Sequence, residues 1–409
     1  MKKKTLSLIL AAAMVFSLSA VTAMADEADY EGLDSVELIG ADSTSKGSAG
    51  QRFGELVASR VDEITGGKLT IDYYPNGELG GDADLLRQVQ SNDIQIVVAQ
   101  TAPVVSFIPE VAVFDMPMVF SKYDGDTIDT VLNSTDSAFH QELSSAYDAA
   151  GFKLLGILQN ATYRLTTANV ELNTLEDFKG LQIRTMENNN HMAFWTAIGA
   201  EPTPLAWAEV YIALQNGTID AEENAADTVV GANLNEVQSV LACTNHILYA
   251  NQISINKEAY EELDPAYQAA LDQAVAEALE EIRPQLADID AENKQLLQDN
   301  GMTLIEYDDT FFDQVLALDA VQALYTDIDA QVNGLGTTLQ EVLEAAAISP
   351  TCRMTSFSPR SLNCSYFSQN SSSVISPRMA WSLRGQIPAV IRFDLYFTYA
   401  SVSKVTGCV

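Results

Sequence analysis

The first residue to which a chemical role can be assigned is Arg184, which lies in the segment GLQIRTM at residues 180–186. The chain holds 22 Lys and Arg against 56 Asp and Glu, so a positive charge within it is unusual. A guanidinium is planar, always charged and able to donate two parallel N–H bonds to one carboxylate. Side chains alternate along a strand, so Gln182 and Arg184 share a face and can point off the sheet. The sequence leaves open whether Arg184 binds an anionic ligand or forms a surface salt bridge.

Residues for catalysis or metal binding form no recognisable pattern in the sequence. The histidines are His140, His191 and His246, and they include no H-x-x-x-H pair. The sequence contains no nucleophile elbow, no phosphate-cradling glycine loop and no Cys pair at metal spacing. Glu222 and Glu223 could be an acid/base pair or cation ligands, but adjacent residues point in different directions. We therefore expect a protein that is not an enzyme and uses no cofactor or metal, with His246 as a packed structural residue.

The charge and the N-terminal segment limit the possible partners and the location. A formal net charge of −34 argues against binding to nucleic acid or to anionic membrane surfaces. Three lysines, an apolar run over residues 6–21 and the A-x-A motif at 23–25 have the order of a secretory signal peptide. We expect cleavage after Ala25, which leaves a soluble periplasmic or extracytoplasmic protein. An N-terminal membrane anchor is the alternative, although the run is short for a span of roughly 20 residues.

The pattern of apolar residues predicts an α/β fold. Residues 36–40, 68–74 and 93–99 have the composition of strands, and helices are expected at 50–64 and 82–90. The segment DIQIVVA at 93–99 is mostly apolar, which favours a parallel sheet covered by helices on both faces. The strands and helices that carry the candidate residues are therefore expected to alternate along the chain.

Two helices are expected to organise the rest of the fold. The first lies in PLAWAEVYIALQNG at residues 204–217, where the apolar residues from Trp207 to Leu214 have helical spacing and Gly217 ends the helix. The second begins at Asp264, an N-cap followed by proline, and keeps helical spacing to Gln298, which corresponds to about 50 Å. Pro284 is expected to kink it. A helix of that length most simply lies across two domains.

Several long motifs occur in the order found in a known family. They are PNGELGGDADLLRQVQSNDIQIVVAQ, FKGLQIRTM, GAEPTPLAWAEVYIALQNGTIDAEEN and NEVQSVLACTNHILYANQISINKEAYEEL. Over residues 36–343 the chain resembles the dicarboxylate-type substrate-binding component of TRAP (tripartite ATP-independent periplasmic) transporters. The resemblance implies a two-domain α/β periplasmic-binding-protein clamp, with a long helix spanning both domains. Such a clamp closes on a carboxylate ligand and delivers it to membrane subunits driven by an ion gradient. A sensory or orphan binding protein that signals to a membrane receptor uses the same clamp and remains the alternative.

The resemblance also implies a set of ligand-binding residues. The family's ligand-pairing arginine lies in a strand motif G-x-x-x-R, which here gives Arg184. Arg164 matches a second arginine beside the acidic group of the ligand, with a strand-edge ion pair as the alternative. Asn224 closes DAEEN and matches the asparagine of D-G-x-E-N, although Ala221 replaces the usual glycine. Trp207 stands where the family usually has phenylalanine, and it is expected either to pack on the ligand or to join the core. Loop positions that line the cleft in relatives correspond to Asp82, Gln100, Thr44 and Ser45.

The same reasoning predicts the domain organisation. The crossings near residues 249–251 and near Pro284 would act as hinges. After Ile348 the charge changes sign and Ser, Arg and Cys become frequent, which suggests translation in a wrong frame, or else a real appended segment. The expected ligand is a small organic acid: a dicarboxylate, a keto or hydroxy acid, or a sugar acid, bound by a monomer. The predicted segments are a signal peptide at 1–25, lobe I at 26–161 plus 250–289, lobe II at 162–249 plus 290–347, and an atypical tail at 348–409.

Overall fold

Two β-sheets with flanking helices make up the part of the chain that the computed structural model describes, residues 30–348. The predicted signal peptide and, apart from Ile348, the predicted tail lie outside the described residues. The strands in chain order are β1 (Val36–Asp42), β2 (Leu69–Tyr74), β3 (Ile96–Gln100), β4 (Phe152–Leu158), β5 (Leu165–Ala168), β6 (Gln182–Thr185), β7 (Glu201–Pro204), β8 (Ala221–Asn224), β9 (Val240–Ala242), β10 (Asn251–Asn256) and β11 (Thr303–Ile305).

The helices alternate with these strands, as the sequence predicts. Two short 3-10 turns, at Pro109–Asp115 and Arg283–Gln285, also matter below. The helices in chain order are α1 (Ala49–Thr65), α2 (Asp82–Gln90), α3 (Thr101–Val104), α4 (Gly125–Asn133), α5 (Ala138–Ala149), α6 (Asn189–Ala197), α7 (Trp207–Gln215), α8 (Ala226–Gly231), α9 (Lys257–Glu262), α10 (Pro265–Ile282), α11 (Leu286–Asp299), α12 (Asp309–Leu316), α13 (Asp319–Gln331) and α14 (Leu335–Ile348).

Each sheet combines parallel and antiparallel strands. The first sheet has the order β2-β1-β3-β10-β4, and the second has the order β11-β9-β5-β8-β6-β7. Strand β1 is parallel to β2 and β3, but β10 returns from the second sheet and runs antiparallel to β3 and β4. All five residues of β3 are buried, as predicted for a strand covered on both faces. The first sheet is therefore mixed, whereas the apolar run alone favours a parallel one.

The chain crosses between the sheets in segments that pair with each other. One crossing follows β4 and leads into β5, and the other follows β9 and leads into β10. Backbone hydrogen bonds join them, from Arg164 N to Ile247 O at 2.9 Å and from Tyr249 N to Thr162 O at 2.8 Å. Ala161, in the first crossing, has a φ of 52°, a left-handed conformation that is uncommon for a residue with a Cβ. The two crossings thus form an antiparallel ribbon.

The long helix predicted to span both domains is present in two segments. Asp264 caps α10 by accepting a hydrogen bond from Ala266 N at 2.9 Å. The helix changes to a 3-10 turn around Pro284, whose ring cannot fit a regular α-helix and whose nitrogen has no hydrogen to donate. Helix α10 packs against α1 and β4, whereas α11 packs against α8 and β11. The two segments, joined by the 3-10 turn, therefore each support one of the sheets. Among helices within residues 30–348, none has the length and apolar character needed to cross a membrane.

The last helix packs beside the first sheet, although the predicted division assigns residues 290–347 to lobe II. Helix α14 contacts α4 and α5, and α5 in turn packs on β4. The reason lies in its apolar face, since Leu339 and Leu343 are one turn apart and fully buried in the cluster that contains Leu132 and Leu143. The chain therefore returns to the first sheet after α11.

Candidate functional site

A cavity lies at the carboxyl ends of strands from both sheets, where α/β proteins commonly bind ligands. Its inner part has a volume of about 20 Å³, enough for about one water molecule. Five of its lining residues, including Arg184 and Trp207, also line a wider cleft of about 800 Å³. The structure brings together seven of the eight sequence-predicted site residues around the inner cavity: Thr44, Ser45, Asp82, Gln100, Arg184, Trp207 and Asn224.

Arg184 is a buried cation without a carboxylate partner among the described residues. Its Nε donates to the backbone oxygen of Leu205 at 2.9 Å, and the guanidinium lies 5.4 Å from the centre of the Trp207 ring. The Nη1 atom has no hydrogen-bond partner in the described structure. Burial lowers the pKa of Arg184, a direction that indicates a desolvated charge. The guanidinium can therefore receive an anion from the cavity without first giving up an ion pair.

Arg164, which is predicted to lie beside the acidic group of the ligand, is not among the residues that line the inner cavity. Its Nε and Nη2 both donate to the carboxylate of Glu223, Nη2 also donates to the Glu223 backbone oxygen at 2.7 Å, and Nη1 donates to Gln100. Although burial opposes the charge, the Glu223 carboxylate raises the pKa of Arg164. The physical reason for its position is this bidentate pair, which occupies the guanidinium. Arg164 thus supports Gln100, which does line the cavity.

Glu223 is the centre of a buried charged network. Besides Arg164, His246 approaches it with Nε2 3.1 Å from Oε2, and His191 with Nδ1 3.6 Å from Oε1. Burial alone would raise the pKa of Glu223, but Arg164 and the two histidines lower it well below its usual value. The ring of His246 also stacks on Phe194. His246 therefore has the packed position that the sequence favours, and Glu223 holds β8 next to the cavity.

Asn224 presents an amide to the cavity. Its Oδ1 accepts from Gln100 Nε2 at 3.4 Å and from the backbone N–H of Ala225 at 3.2 Å. These bonds use the carbonyl of the amide, so its NH2 group is left to donate toward a ligand. Ala221, which replaces the expected glycine, lies in β8 with an ordinary negative φ, since it is absent from the residues with positive φ. Alanine is therefore compatible with the backbone at this position.

The loop after β1 supplies hydroxyl groups from the first sheet. Buried Asp42 organises it by accepting bonds from Thr44 N at 2.8 Å, Thr44 Oγ1 at 2.6 Å and Tyr73 Oη at 2.9 Å. The next residue, Ser43, donates to Oδ1 of Asp82 at 2.5 Å. Asp82 is the first residue of α2, and burial raises its pKa while Arg184 acts in the opposite direction. A carboxylate and several hydroxyls therefore share the cavity with Arg184.

Contacts across the cleft hold the two halves together. Asp115, in the 3-10 turn beside the first sheet, accepts from Asn188 Nδ2 at 2.8 Å and from Asn190 Nδ2 at 3.0 Å, and lies 3.1 Å from His191 Nε2. Burial opposes the charge on His191, but Asp115 and Glu223 raise its pKa to about 9. Asp115 thus links the 3-10 turn at Pro109–Asp115 to α6 through a buried ion pair with His191.

Several residues of the site lie outside the motifs of the sequence. Ser43, Met186 and Thr228 also line the cavity, and no motif distinguishes them. Glu222 is fully buried, whereas the sequence suggests only that it could pair with Glu223 as catalytic acids or cation ligands. The excess of acids in the chain conceals which of them are buried. Within residues 30–348, no group of three or more His, Cys, Asp or Glu side chains is arranged to hold a metal ion.

Comparisons with known proteins agree with this architecture. A family model described as bacterial extracellular solute-binding protein, family 7, matches residues 40–331. The chain is 27% identical over 289 residues to the sialic acid-binding periplasmic protein SiaP of Vibrio cholerae, covering 70% of this chain and 87% of that protein. It is 27% identical over 264 residues to the C4-dicarboxylate-binding periplasmic protein DctP of Rhodobacter capsulatus, covering 64% and 76%. A solved TRAP periplasmic solute binding protein from Polaromonas sp. JS666, bound to D-erythronate, matches with a TM-score of 0.68 at 25% identity, covering 75% of this chain and 98% of that one. These likenesses confirm the predicted two-domain α/β clamp.

Proposed function

The chain belongs to bacterial extracellular solute-binding protein family 7, which contains the binding components of TRAP transporters, and on that premise we propose that it captures a small organic acid between its two sheets. It delivers the acid unchanged to the membrane subunits of a TRAP transporter. Arg184 carries the proposal, because its buried guanidinium lines the cavity and its Nη1 has no hydrogen-bond partner among the residues that the structure describes. A carboxylate that reaches it gains a charge-assisted hydrogen bond in a site from which most water is excluded.

The charges around the cavity favour one class of acid. Among the described residues, Arg184 is the cation that lines the inner cavity, and Arg164 is paired with Glu223. Arg87 lines the wider cleft, but it is paired with Asp84 at 3.0 Å. Asp82 supplies a carboxylate on the opposite lobe, next to the hydroxyl of Ser43. A second carboxylate on the ligand would meet Asp82 and be repelled, whereas a hydroxyl group could donate to it. We infer a monocarboxylate with several hydroxyl groups, such as a sugar acid.

The relatives bind acids of more than one kind. The Polaromonas protein was solved with D-erythronate, which has one carboxylate and three hydroxyls, and SiaP is named for sialic acid. DctP is named for C4-dicarboxylates. The family therefore allows both readings, and the position of Asp82 is what favours the hydroxy acid for this chain.

A thermal-shift screen with matched compounds tests the proposal. D-Erythronate, succinate and the neutral polyol erythritol each have four carbons and separate the contributions of carboxylate, second carboxylate and hydroxyls. D-Galactonate and sialic acid extend the series to larger acids. An acid at about 100 times its Kd should add about 2.7 kcal/mol to the free energy of unfolding, a rise in Tm of roughly 5 °C. A larger shift with erythritol than with any acid would contradict the carboxylate site, and a larger shift with succinate would contradict the role of Asp82.

A further inference from the structure

Glu222 is a fully buried carboxyl group that the proposed capture of an acid does not explain. It lies on β8 directly opposite Arg184 on β6, and residues paired in this way point to the same face of the sheet. One carboxyl oxygen accepts a hydrogen bond from the hydroxyl of Thr167 at 3.3 Å. The other oxygen, Oε2, has no hydrogen-bond partner in the part of the chain that the structure describes. Glu222 thus stands beside Arg184 and behind the cavity wall.

The surroundings of Glu222 oppose full ionisation at neutral pH. Burial of a carboxylate with one weak hydrogen bond is costly, because water would solvate both oxygens. The charged groups that face Glu222 are Arg184 on β6, Arg164 just before β5, and Glu223 on its own strand. Burial raises the pKa of Glu222 to about 7. The charge of Glu223 also raises this pKa, whereas Arg184 and Arg164 lower it. Neutral and charged forms are therefore both populated near pH 7.

Arg184, which is paired with Glu222 in strand register, also has a polar atom without a hydrogen-bond partner in the described structure. Its Nη1 has no hydrogen-bond partner within residues 30–348, and the carboxylates that favour its charge are, in order, Glu222, Glu223 and Asp82. Of these, Glu222 is the one paired with it in strand register and lacking a partner on one oxygen. An ionised Glu222 offsets the charge of Arg184 while the site is empty. A neutral Glu222 leaves that charge for the ligand.

We propose that Glu222 couples capture of the acid to uptake of one proton from water, because the ligand carboxylate and an ionised Glu222 would place two negative charges near the single positive charge of Arg184. This inference rests on the proposed binding of a carboxylate at Arg184. When the ligand anion arrives, its negative charge raises the pKa of Glu222 further, and the carboxyl group takes up a proton. No bond to the ligand is made or broken. Glu222 acts through Arg184 and is a positioning residue that does not touch the ligand.

The sign of the pH effect follows from this coupling. Below the pKa of Glu222 in the empty protein, this residue is protonated with and without ligand, so the affinity does not change with pH. Above it, binding requires protonation, and Kd rises by up to about tenfold per pH unit. The affinity becomes constant again above the pKa of Glu222 in the ligand complex. The protein therefore binds its acid more tightly in mildly acidic than in alkaline surroundings.

Calorimetric titration with D-erythronate and D-galactonate at pH 6, 7, 8 and 9 tests the coupling. We expect Kd to increase roughly tenfold from pH 6 to pH 8. Titrations at pH 7 in phosphate and in Tris, whose ionisation enthalpies differ, count the protons directly. The expected uptake is about half a proton per ligand at that pH. The carboxyl groups of both probes remain ionised over this range.

Substitutions at Glu222 separate its contribution from that of other groups. Glu222→Gln keeps an acceptor for Thr167 but cannot ionise, so its Kd should vary by less than twofold between pH 6 and pH 8. That Kd should also lie near the value of the wild type at pH 6. Glu222→Met, which is uncharged and of similar length, provides the same comparison if the glutamine variant does not fold. Glu171→Gln removes an exposed acid and is the control for the change in net charge.

Two outcomes overturn the proposal. If Glu222→Gln and Glu222→Met retain the pH dependence of the wild type, another group such as His191 is responsible, and Glu222 has no part in it. If wild-type Kd is constant from pH 6 to pH 9, no proton is coupled to binding. Failure of the proposed function looks different: neither acid binds at any pH, or Arg184→Ala binds as well as the wild type. In that case the proton coupling fails with it.

Discussion

Replacement of Arg184 by alanine is expected to abolish most of the affinity for an organic acid while leaving the fold intact. The guanidinium is 2% exposed, lacks a carboxylate partner among the described residues and lines the cavity. A ligand carboxylate bound there would lose its charge-assisted hydrogen bonds and remain in a desolvated site. Removal of one partner of such a pair costs about 2 to 5 kcal/mol. This corresponds to an increase in Kd of roughly 30-fold to several thousand-fold.

Lysine at the same position is expected to recover little of this loss. Its ammonium group is a point charge on a flexible stem, so it cannot donate two parallel N–H bonds to one carboxylate. It also cannot reproduce both the bond from Arg184 Nε to the Leu205 oxygen and the contact with the Trp207 ring. Arg184→Lys therefore distinguishes the shape of the guanidinium from its charge.

Calorimetric titration of the wild type, Arg184→Ala and Arg184→Lys with D-erythronate measures both effects. Arg60→Ala is the matched control, since it removes an arginine that pairs with Glu63 and Glu281 away from the cavity. Circular dichroism and thermal unfolding establish that each variant is folded. If Arg184→Ala binds within threefold of the wild type, Arg184 is not the group that pairs with the carboxylate, and the reasoning from its missing partner is wrong.

Three further predictions address other parts of the site and the fold. Asp82→Asn should improve the affinity for succinate relative to D-erythronate by about tenfold, because it removes a like charge. Calorimetry with both acids measures this ratio, and an unchanged ratio would refute the prediction. Asp62→Asn, which changes an exposed acid of α1 outside the cavity and the wider cleft, is the control. The raised pKa of His191 means that its protonation stabilises the fold fully below about pH 6.5, and this contribution is lost as the pH rises through about 9. Denaturant unfolding should therefore give a free energy of unfolding that is on the order of 2 kcal/mol lower at pH 9.5 than at pH 6.5. This difference should be smaller in His191→Gln, and equal wild-type stabilities at the two pH values would contradict the prediction. Gly54→Ala should destabilise the protein by about 1–3 kcal/mol, because a Cβ there would lie 1.9 Å from the Tyr73 hydroxyl; an unchanged Tm would show that the tyrosine moves at little cost.

The sequence predicts the elements of this fold well where local patterns determine them. The apolar run of β3, the cap at Asp264 and the break at Pro284 each follow from the residues within one element, and the structure has all three. The return of α14 to the first sheet is different. Its apolar face at Leu339 and Leu343 predicts burial but does not identify the partner. Contacts between segments far apart in sequence decide that, and spacing alone does not reveal them.

The candidate site shows the same limit. Arg184 and Asn224 could be selected because they occur in motifs, and both line the cavity. The same approach selects Arg164, but it cannot show that Glu223 already occupies this guanidinium. Nor could it single out Glu222, since 56 acids leave no means of distinguishing a buried carboxyl from a solvated one. Charge pairing depends on three-dimensional neighbours, and motifs identify residues without their partners.

The pairing of the two crossings has a mechanical consequence. Tyr163 and Leu248 form a β-bridge between them, flanked by the backbone hydrogen bonds on either side. Two strands joined in this way cannot rotate independently, so twisting one sheet against the other would break the bridge, whereas bending the ribbon as a unit would keep it. The third connection, at Arg283–Gln285, joins α10, which packs on the first sheet, to α11, which packs on the second. We therefore expect the two sheets to move relative to each other only as far as these connections and the return of α14 to the first sheet allow, so that Arg184 and Asp82 separate and meet again along a reproducible path.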